Sequence, residues 1–314
     1  MEDTVITETT PDPSTVAEHR DQQDGSGMDV PGKPQSGTTM VLGGTGKTGR
    51  RVVERLTASS VSVRIGSRSA EPPFDWEDQS TWAPALRDVE SIYLTYYPDL
   101  AIPGAVEAVQ AFTELAVQSG VRRLVLLFGR GEDEAQRAEH VVMASGADWT
   151  ILRSSWFSQN FSENYFLEPV LSGEVVLPAG NVGEPFIDAD DIADVAVAAL
   201  TEDGHAGQLY ELTGPRLLTF AEAVEEIAQA SGREIRYVPV SAEKYAAALT
   251  AEGVASEFVW LVNYLFTTVL DGRNAHLTDG IQRALGREPR DFAGYARATA
   301  SAGVWDVSEV PVSR

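Results

Sequence analysis

Residues 40–56 read MVLGGTGKTGRRVVERL. An apolar run closes at Leu42, then Gly43, Gly46 and Gly49 follow at intervals of three, and Val52, Val53 and Leu56 recur at helical spacing. This is the pattern of a strand, a glycine turn and a helix. The first glycine permits a tight bend, the second lets backbone approach a pyrophosphate, and the third lets helix and strand pack closely. Free amides and the positive end of the helix then face the phosphates. Gly43, Thr45, Gly46, Lys47, Thr48 and Gly49 are the candidate phosphate contacts. A P-loop needs a glycine five residues before Gly46, where Val41 stands, so phosphoryl transfer is the weaker reading.

Outward from this turn, Val61–Ile65 alternates as a second strand and runs into Gly66, Ser67 and Arg68. Sites for NAD place an acid at this point, whereas NADP sites favour a base for the 2′-phosphate. No acid occurs between Val61 and Ala70, so Ser67 and Arg68 select NADPH over NADH. Lys47, unfavourable against the helix dipole, points to an anion nearby. Phe74–Trp76 reads as the end of a short third strand, with Asp75 as an acceptor for an adenine amino group or as a turn acid. Strands at Ser91–Tyr97, Arg123–Phe128 and Trp149–Leu152 alternate with helices at Ala105–Val117 and Glu134–Ala144. The alternation predicts an α/β fold, a doubly wound parallel sheet whose ligands sit beyond the carboxyl ends of the strands. That rule adds Tyr97, Pro98, Phe128, Gly129 and Ser155 to the cofactor contacts.

Farther on, Gly173–Pro178, Tyr210–Thr213 and Arg236–Val240 read as strands. Asp190–Leu200, Phe220–Ala230 behind a Thr219 cap, Lys244–Leu249, Glu257–Leu270 and Gly280–Leu285 read as helices. The aspartates at 188–191 open a helix and no His stands near them, so capping is preferred to a metal site, and no metal is expected. Phe258, Trp260, Leu261, Tyr264, Leu265 and Phe266 surround much of one helix and read as core, or as a substrate wall or oligomer face.

Composition bounds the function. The 314 residues contain no cysteine, which excludes disulfides and thiol catalysis. A formal charge of −23 argues against a nucleic-acid partner. No signal peptide or membrane-length apolar run is visible, so a cytoplasmic location without membrane association is expected. Residues 1–36 carry eight acids against two bases and almost no large apolar side chains, the composition of a disordered acidic tail. The expected organisation is that tail, a nucleotide-binding core over 37–155, and a mixed segment over 156–314 that completes the core and forms a small C-terminal α+β subdomain.

Four stretches together resemble the NmrA-like branch of the atypical short-chain dehydrogenase/reductases: GGTGKTGRRV at 43–52, RSSWFSQNF at 153–161, EPFIDADDIADVAVAAL at 184–200 and GREPRDFAGYARA at 286–298. Within that branch the chain looks most like NAD(P)H:quinone or azo-type reductases and the ergot-alkaloid reductases. The resemblance implies a Rossmann half that binds NADP(H) or NAD(H) and a C-terminal subdomain over the nicotinamide. Some members reduce quinones, aldehydes or iminium compounds, whereas others sense the cofactor and regulate transcription factors. Ordinary short-chain dehydrogenases pair a Tyr with a Lys four residues on; none of Lys33, Lys47 and Lys244 follows a Tyr at that spacing. His140 is the nearest substitute as proton donor. Trp156, Phe157, Asn160 and Phe161 are the candidate substrate wall, or else hydrophobic core.

The expected activity is NADPH-dependent hydride transfer to an electron-poor acceptor, a quinone, an enal or aldehyde, or an imine or iminium, with secondary metabolism as the expected setting. The alternative is a non-catalytic NADP(H) sensor. The expected partner is a small aromatic or alicyclic molecule, with the protein a monomer or homodimer.

Overall fold

The computed structural model describes residues 37–307, so the expected tail at 1–36 lies outside the described residues. Strand β1 (Thr38–Leu42) is almost wholly buried and leads into α1 (Lys47–Ala58). The remaining strands are β2 (Val63–Gly66), β3 (Val89–Leu94), β4 (Arg123–Gly129), β5 (Asp148–Ser154), β6 (Glu174–Leu177), β7 (Gln208–Leu212) and β8 (Arg236–Pro239). Between and beyond them lie α2 (Trp82–Ala85), α3 (Ala105–Gln118), α4 (Asp133–Met143), α5 (Leu167–Ser172), α6 (Ala189–Thr201), α7 (Phe220–Ser231), α8 (Ala242–Ala251), α9 (Ser256–Tyr264), α10 (Gly280–Leu285) and α11 (Phe292–Ser301).

Six parallel strands form one sheet in the order β2-β1-β3-β4-β5-β7. The order reverses between β1 and β3, which opens a crevice there at the carboxyl ends. Both faces are covered, so the central strands are apolar on both sides. Met40 and Leu42 pack with Trp82, Phe112 and Val142 on one face; Val41 packs with Val52, Leu56 and Ile192 on the other. A third cluster holds the C-terminal part together around Phe161, Phe166, Phe186, Phe220, Phe292 and Trp305, beside the two-stranded parallel β6–β8 sheet.

The third strand expected at Phe74–Trp76 is absent. Asp75 and Asp78 form an isolated antiparallel bridge, and Asp75 Oδ1 accepts from the Glu77 amide. The rings of Phe74 and Trp76 instead pack against Trp82 and Phe112, so burial of aromatic area holds the segment against the sheet without adding it to the ladder. The helix expected over Glu257–Leu270 is α9 followed by a π turn at Leu265–Val269.

Helix α6 opens as its sequence implies: Asp188 caps it by accepting from the Asp190 amide. The acids behind the cap form ion pairs with arginines from distant segments. Asp190 pairs with Arg55, Asp194 pairs with Arg55 and Arg290, and fully buried Asp191 holds Arg287 and Arg290. Helix α7 begins with a reciprocal capping box between Thr219 and Glu222. Helix α11, whose Asp291 cap accepts from the Ala293 amide, is an element the periodicity reading does not place.

Candidate active site

The first and third glycines of the turn have the geometry expected of them. Gly43 sits at φ +62°. A Cβ on Gly49 would lie 2.2 Å from the Gly43 carbonyl oxygen, so helix and turn approach closely. Helix α1 starts at Gly46 with no side-chain cap and no acid in its first turn, leaving its amides for an anion. These features fit a dinucleotide pyrophosphate: the amides and Gly46 would hold it, and Thr95, whose Oγ1 donates to the Leu42 carbonyl, supports the turn from β3.

The crevice encloses about 340 Å³. Gly43, Gly46, Thr48, Tyr97, Pro98, Phe128, Gly129, Ser155, Trp156, Phe157 and Asn160, all singled out from sequence, line it together. Lys47 is carried to its edge: Nζ donates to Asn160 Oδ1 at 2.8 Å, and burial lowers its pKa. Thr45 is exposed on the turn. Ser67 and Arg68 follow β2; Arg68 is exposed and makes no ion pair among the described residues.

Asp75, His140 and Phe161 fall elsewhere; Asp75 is held in its own turn with Asp78 and Glu77 and does not line the crevice. His140 is exposed on α4 and borders a groove with Gln110, Thr113 and Glu114 of α3, away from the crevice. It was the nearest substitute for the missing lysine by its place along the chain, but Ala135, Ala138, Glu139 and Val142 form the buried side of α4 and leave it outside. Phe161 is fully buried among Phe166, Phe186, Phe220 and Phe292 and is core, not wall. Trp156 does both jobs: it stacks near Phe166 and Phe266 and also faces the crevice. The aromatic helix also divides, because Phe258 and Phe266 join the core, Leu265 lines the crevice, and Trp260 is exposed and stacks on Tyr264.

Sequence reasoning missed the buried charges. Asp99, Arg130, Glu132 and Glu184 all line the crevice. Glu184 accepts from the Trp156 amide at 3.1 Å, and burial pushes its carboxyl up to about 7 against the opposing pull of that amide, Arg130 and Ser155. The neighbouring chain runs beside the aromatic wall, with the Ile187 amide donating to the Trp156 carbonyl at 2.9 Å and the Ser158 amide to the Ile187 carbonyl at 2.8 Å. Arg130 donates to Ser155 Oγ at 3.1 Å, reaches Glu211 at 3.4 Å, and lies 2.9 Å from His276 Nε2. Single charged residues in loops ordinarily read as solvated, so local sequence carried no signal for them beyond the adjacent apolar strands.

A doubly wound sheet with an uncapped glycine turn at its switch point defines a dinucleotide-binding protein. The profile of the NAD(P)H-binding family matches residues 43–203. The uncharacterized oxidoreductase YesF of Bacillus subtilis is 32% identical over 273 residues, 83% of this chain and 95% of that one. An NAD(P)H azoreductase of Xenophilus azovorans is 30% identical over 284 residues, 84% of this chain and 98% of that one. Among solved structures, the NADPH-dependent quinone oxidoreductase of Escherichia coli in complex with NADPH superposes with a TM-score of 0.70 at 20% identity, covering 83% of this chain and 99% of that one. The chain belongs to the NAD(P)H-binding family, in its NmrA-like, atypical short-chain dehydrogenase/reductase branch, and is an NAD(P)H-dependent oxidoreductase. Among the described residues no helix is long and apolar enough to cross a membrane.

Proposed function

We propose that this protein is an NADPH-preferring reductase of small, planar, electron-poor acceptors, with quinones and conjugated imines as the favoured class. The carrying observation is a single crevice that joins the Gly43–Gly46 turn to the Trp156–Phe157 wall, with buried acids between them. Bound NADPH supplies the hydride. The residues around it supply position and exclude water: Trp156 and Phe157 offer flat apolar surface to a conjugated ring, and Asn160 tethers Lys47 at the phosphate edge. Among the described residues no lysine lines the crevice, which supports a site without the Tyr-Lys proton relay of ordinary short-chain dehydrogenases. An acceptor that already carries its driving force suits such a site.

Arg68, exposed beyond β2 and without an ion-pair partner among the described residues, supports preference for the 2′-phosphate. Calorimetry should find NADPH bound more tightly than NADH, and Arg68→Ala should remove most of the difference. A charge-assisted contact corresponds to roughly 10- to 100-fold in affinity. Equal affinities in the unsubstituted protein would refute the assignment. NADPH oxidation against a panel of quinones, enals and cyclic imines tests turnover. Binding of NADPH without consumption by any of them would leave the cofactor-sensing reading in its place.

A further inference from the structure

Reduction of a neutral acceptor needs a proton as well as a hydride, and the crevice holds an acid able to give one. The loop after β4 runs Gly129-Arg130-Gly131-Glu132 into α4. Glu132 folds back so closely that a Cβ on Gly129 would meet its Oε1 at 1.9 Å, so only glycine admits this placement. The loop is pinned from outside: Asn274 Nδ2 donates to the Arg130 carbonyl at 3.0 Å, and Arg273 to the Gly131 carbonyl at 3.2 Å. Glu132 is 3% exposed, lines the crevice, and its Oε2 has no hydrogen-bond partner. An orphaned buried carboxyl oxygen is costly unless it serves a ligand or carries a proton.

Its neighbour is a second carboxyl. Asp99, from the loop after β3, hydrogen-bonds Glu132 and is itself held by the Ala101 amide at 2.8 Å. Two carboxyl groups in contact, one buried and one half-buried, cannot both ionise cheaply, so the pair favours keeping one proton. Burial and the Asp99 charge, with a smaller contribution from Glu134, raise Glu132 well above the ordinary carboxylate range, and burial raises Asp99 as well, so a retained proton belongs to the pair. The other polar groups nearby are Arg130, whose Nε is also unpartnered, and Tyr264, which reaches Glu134 at 3.4 Å. In the sheet β4 stands two places from β1, roughly 10 Å at ordinary strand spacing. The acid therefore lies beyond the phosphate turn, on the side of the crevice walled by Trp156 and Phe157.

We propose that Glu132, held by Asp99, is the general acid of this reductase. This rests on the reductase reading above. In quinone reduction the acceptor takes two electrons as hydride from bound NADPH, the Glu132 O–H bond breaks, and a new O–H bond forms on the reduced oxygen. Glu132 is left as carboxylate and regains its proton from solvent. The placement suits acceptors whose hydride adduct ends as an anion on oxygen or nitrogen.

The test uses two acceptors on the full chain. A quinone needs the proton, whereas an N,N-dialkyl iminium ion becomes a neutral amine on hydride addition alone. Glu132→Gln should lower the ratio of quinone to iminium turnover on the order of 100-fold, the ordinary worth of a placed general acid. Asp99→Asn should move the fall of quinone turnover with rising pH to lower pH, because it removes the charge that raises Glu132. An unchanged ratio, or an equal loss with both acceptors, overturns the assignment while leaving the reductase reading intact. Failure of the unsubstituted protein with every acceptor overturns both. Infrared difference spectra between the cofactor-free protein and Glu132→Gln give an independent readout: protonated carboxyl intensity at neutral pH should be lost in the variant beyond the band that Glu184 contributes to both proteins, and identical spectra in this region overturn the proposal.

Discussion

Glu184 makes stability depend on pH in a direction that a surface glutamate would not. Its carboxyl is 1% exposed, and burial moves its pKa from 4.5 to about 7. A raised acid favours the protonated form in the folded state. Below pH 4.5 folded and unfolded chains both hold the proton, and no penalty arises. Between 4.5 and 7 the folded state binds more protons than the unfolded one, so stability falls as pH rises. Above about 7 both forms are ionised and the penalty is complete. A displacement of about 2.5 units corresponds to roughly 3 kcal/mol. Glu184→Gln keeps an oxygen to accept from the Trp156 amide but cannot ionise. Urea denaturation of both proteins at pH 5 and pH 8 measures the effect as a difference, in which all other titrating groups cancel. The Gln variant should gain about 2.5 kcal/mol relative to the original between these pH values, since a little of the penalty is already present at pH 5. Parallel stability curves for the two proteins would show that Glu184 is solvated, and the account of its environment would be wrong.

Gly49→Ala should abolish nucleotide binding, because its Cβ would meet the Gly43 carbonyl at 2.2 Å, backbone against backbone; retained NADPH affinity by calorimetry would contradict the close approach. Phe161→Ala should cost about 3–5 kcal/mol in denaturant unfolding, as expected of a fully buried ring, and a loss under 1 kcal/mol would return it to the substrate wall. Asp191→Ala should destabilise by about 3 kcal/mol, since it strips Arg287 and Arg290 of a buried partner and leaves the Arg290 amide without its acceptor; a neutral result in the same assay would show the network to be dispensable.

On the function proposed above, the aromatic wall gives an acceptor a flat surface fixed in advance. Where the acceptor is conjugated, the barrier is lowered by holding two flat systems in register in a dry site. Trp156 is suited to this because its ring is already held by Phe166, Phe220 and Phe266. A ring fixed by the core loses little further freedom when a substrate lies against it.

Local sequence determined the parts of this protein whose physics is local. Glycine spacing at 43–49 specified the turn, apolar runs specified the buried strands, and Asp188 and Thr219 specified where α6 and α7 begin. Each depends on a residue's own backbone freedom or on a partner within four positions. Tertiary structure alone decided which charged side chains leave water. Asp99, Glu132 and Glu184 come from three separate connections, 33 and 52 residues apart along the chain. Each alone reads as an ordinary solvated acid, because desolvation is a property of what surrounds a group and not of the group. The same rule moved His140 out to solvent and drew Phe161 into the core. The sheet order brings the loops of Asp99 and Glu132 to one crevice, the chain after β6 brings Glu184 there, and burial raises all three carboxyls above the ordinary range.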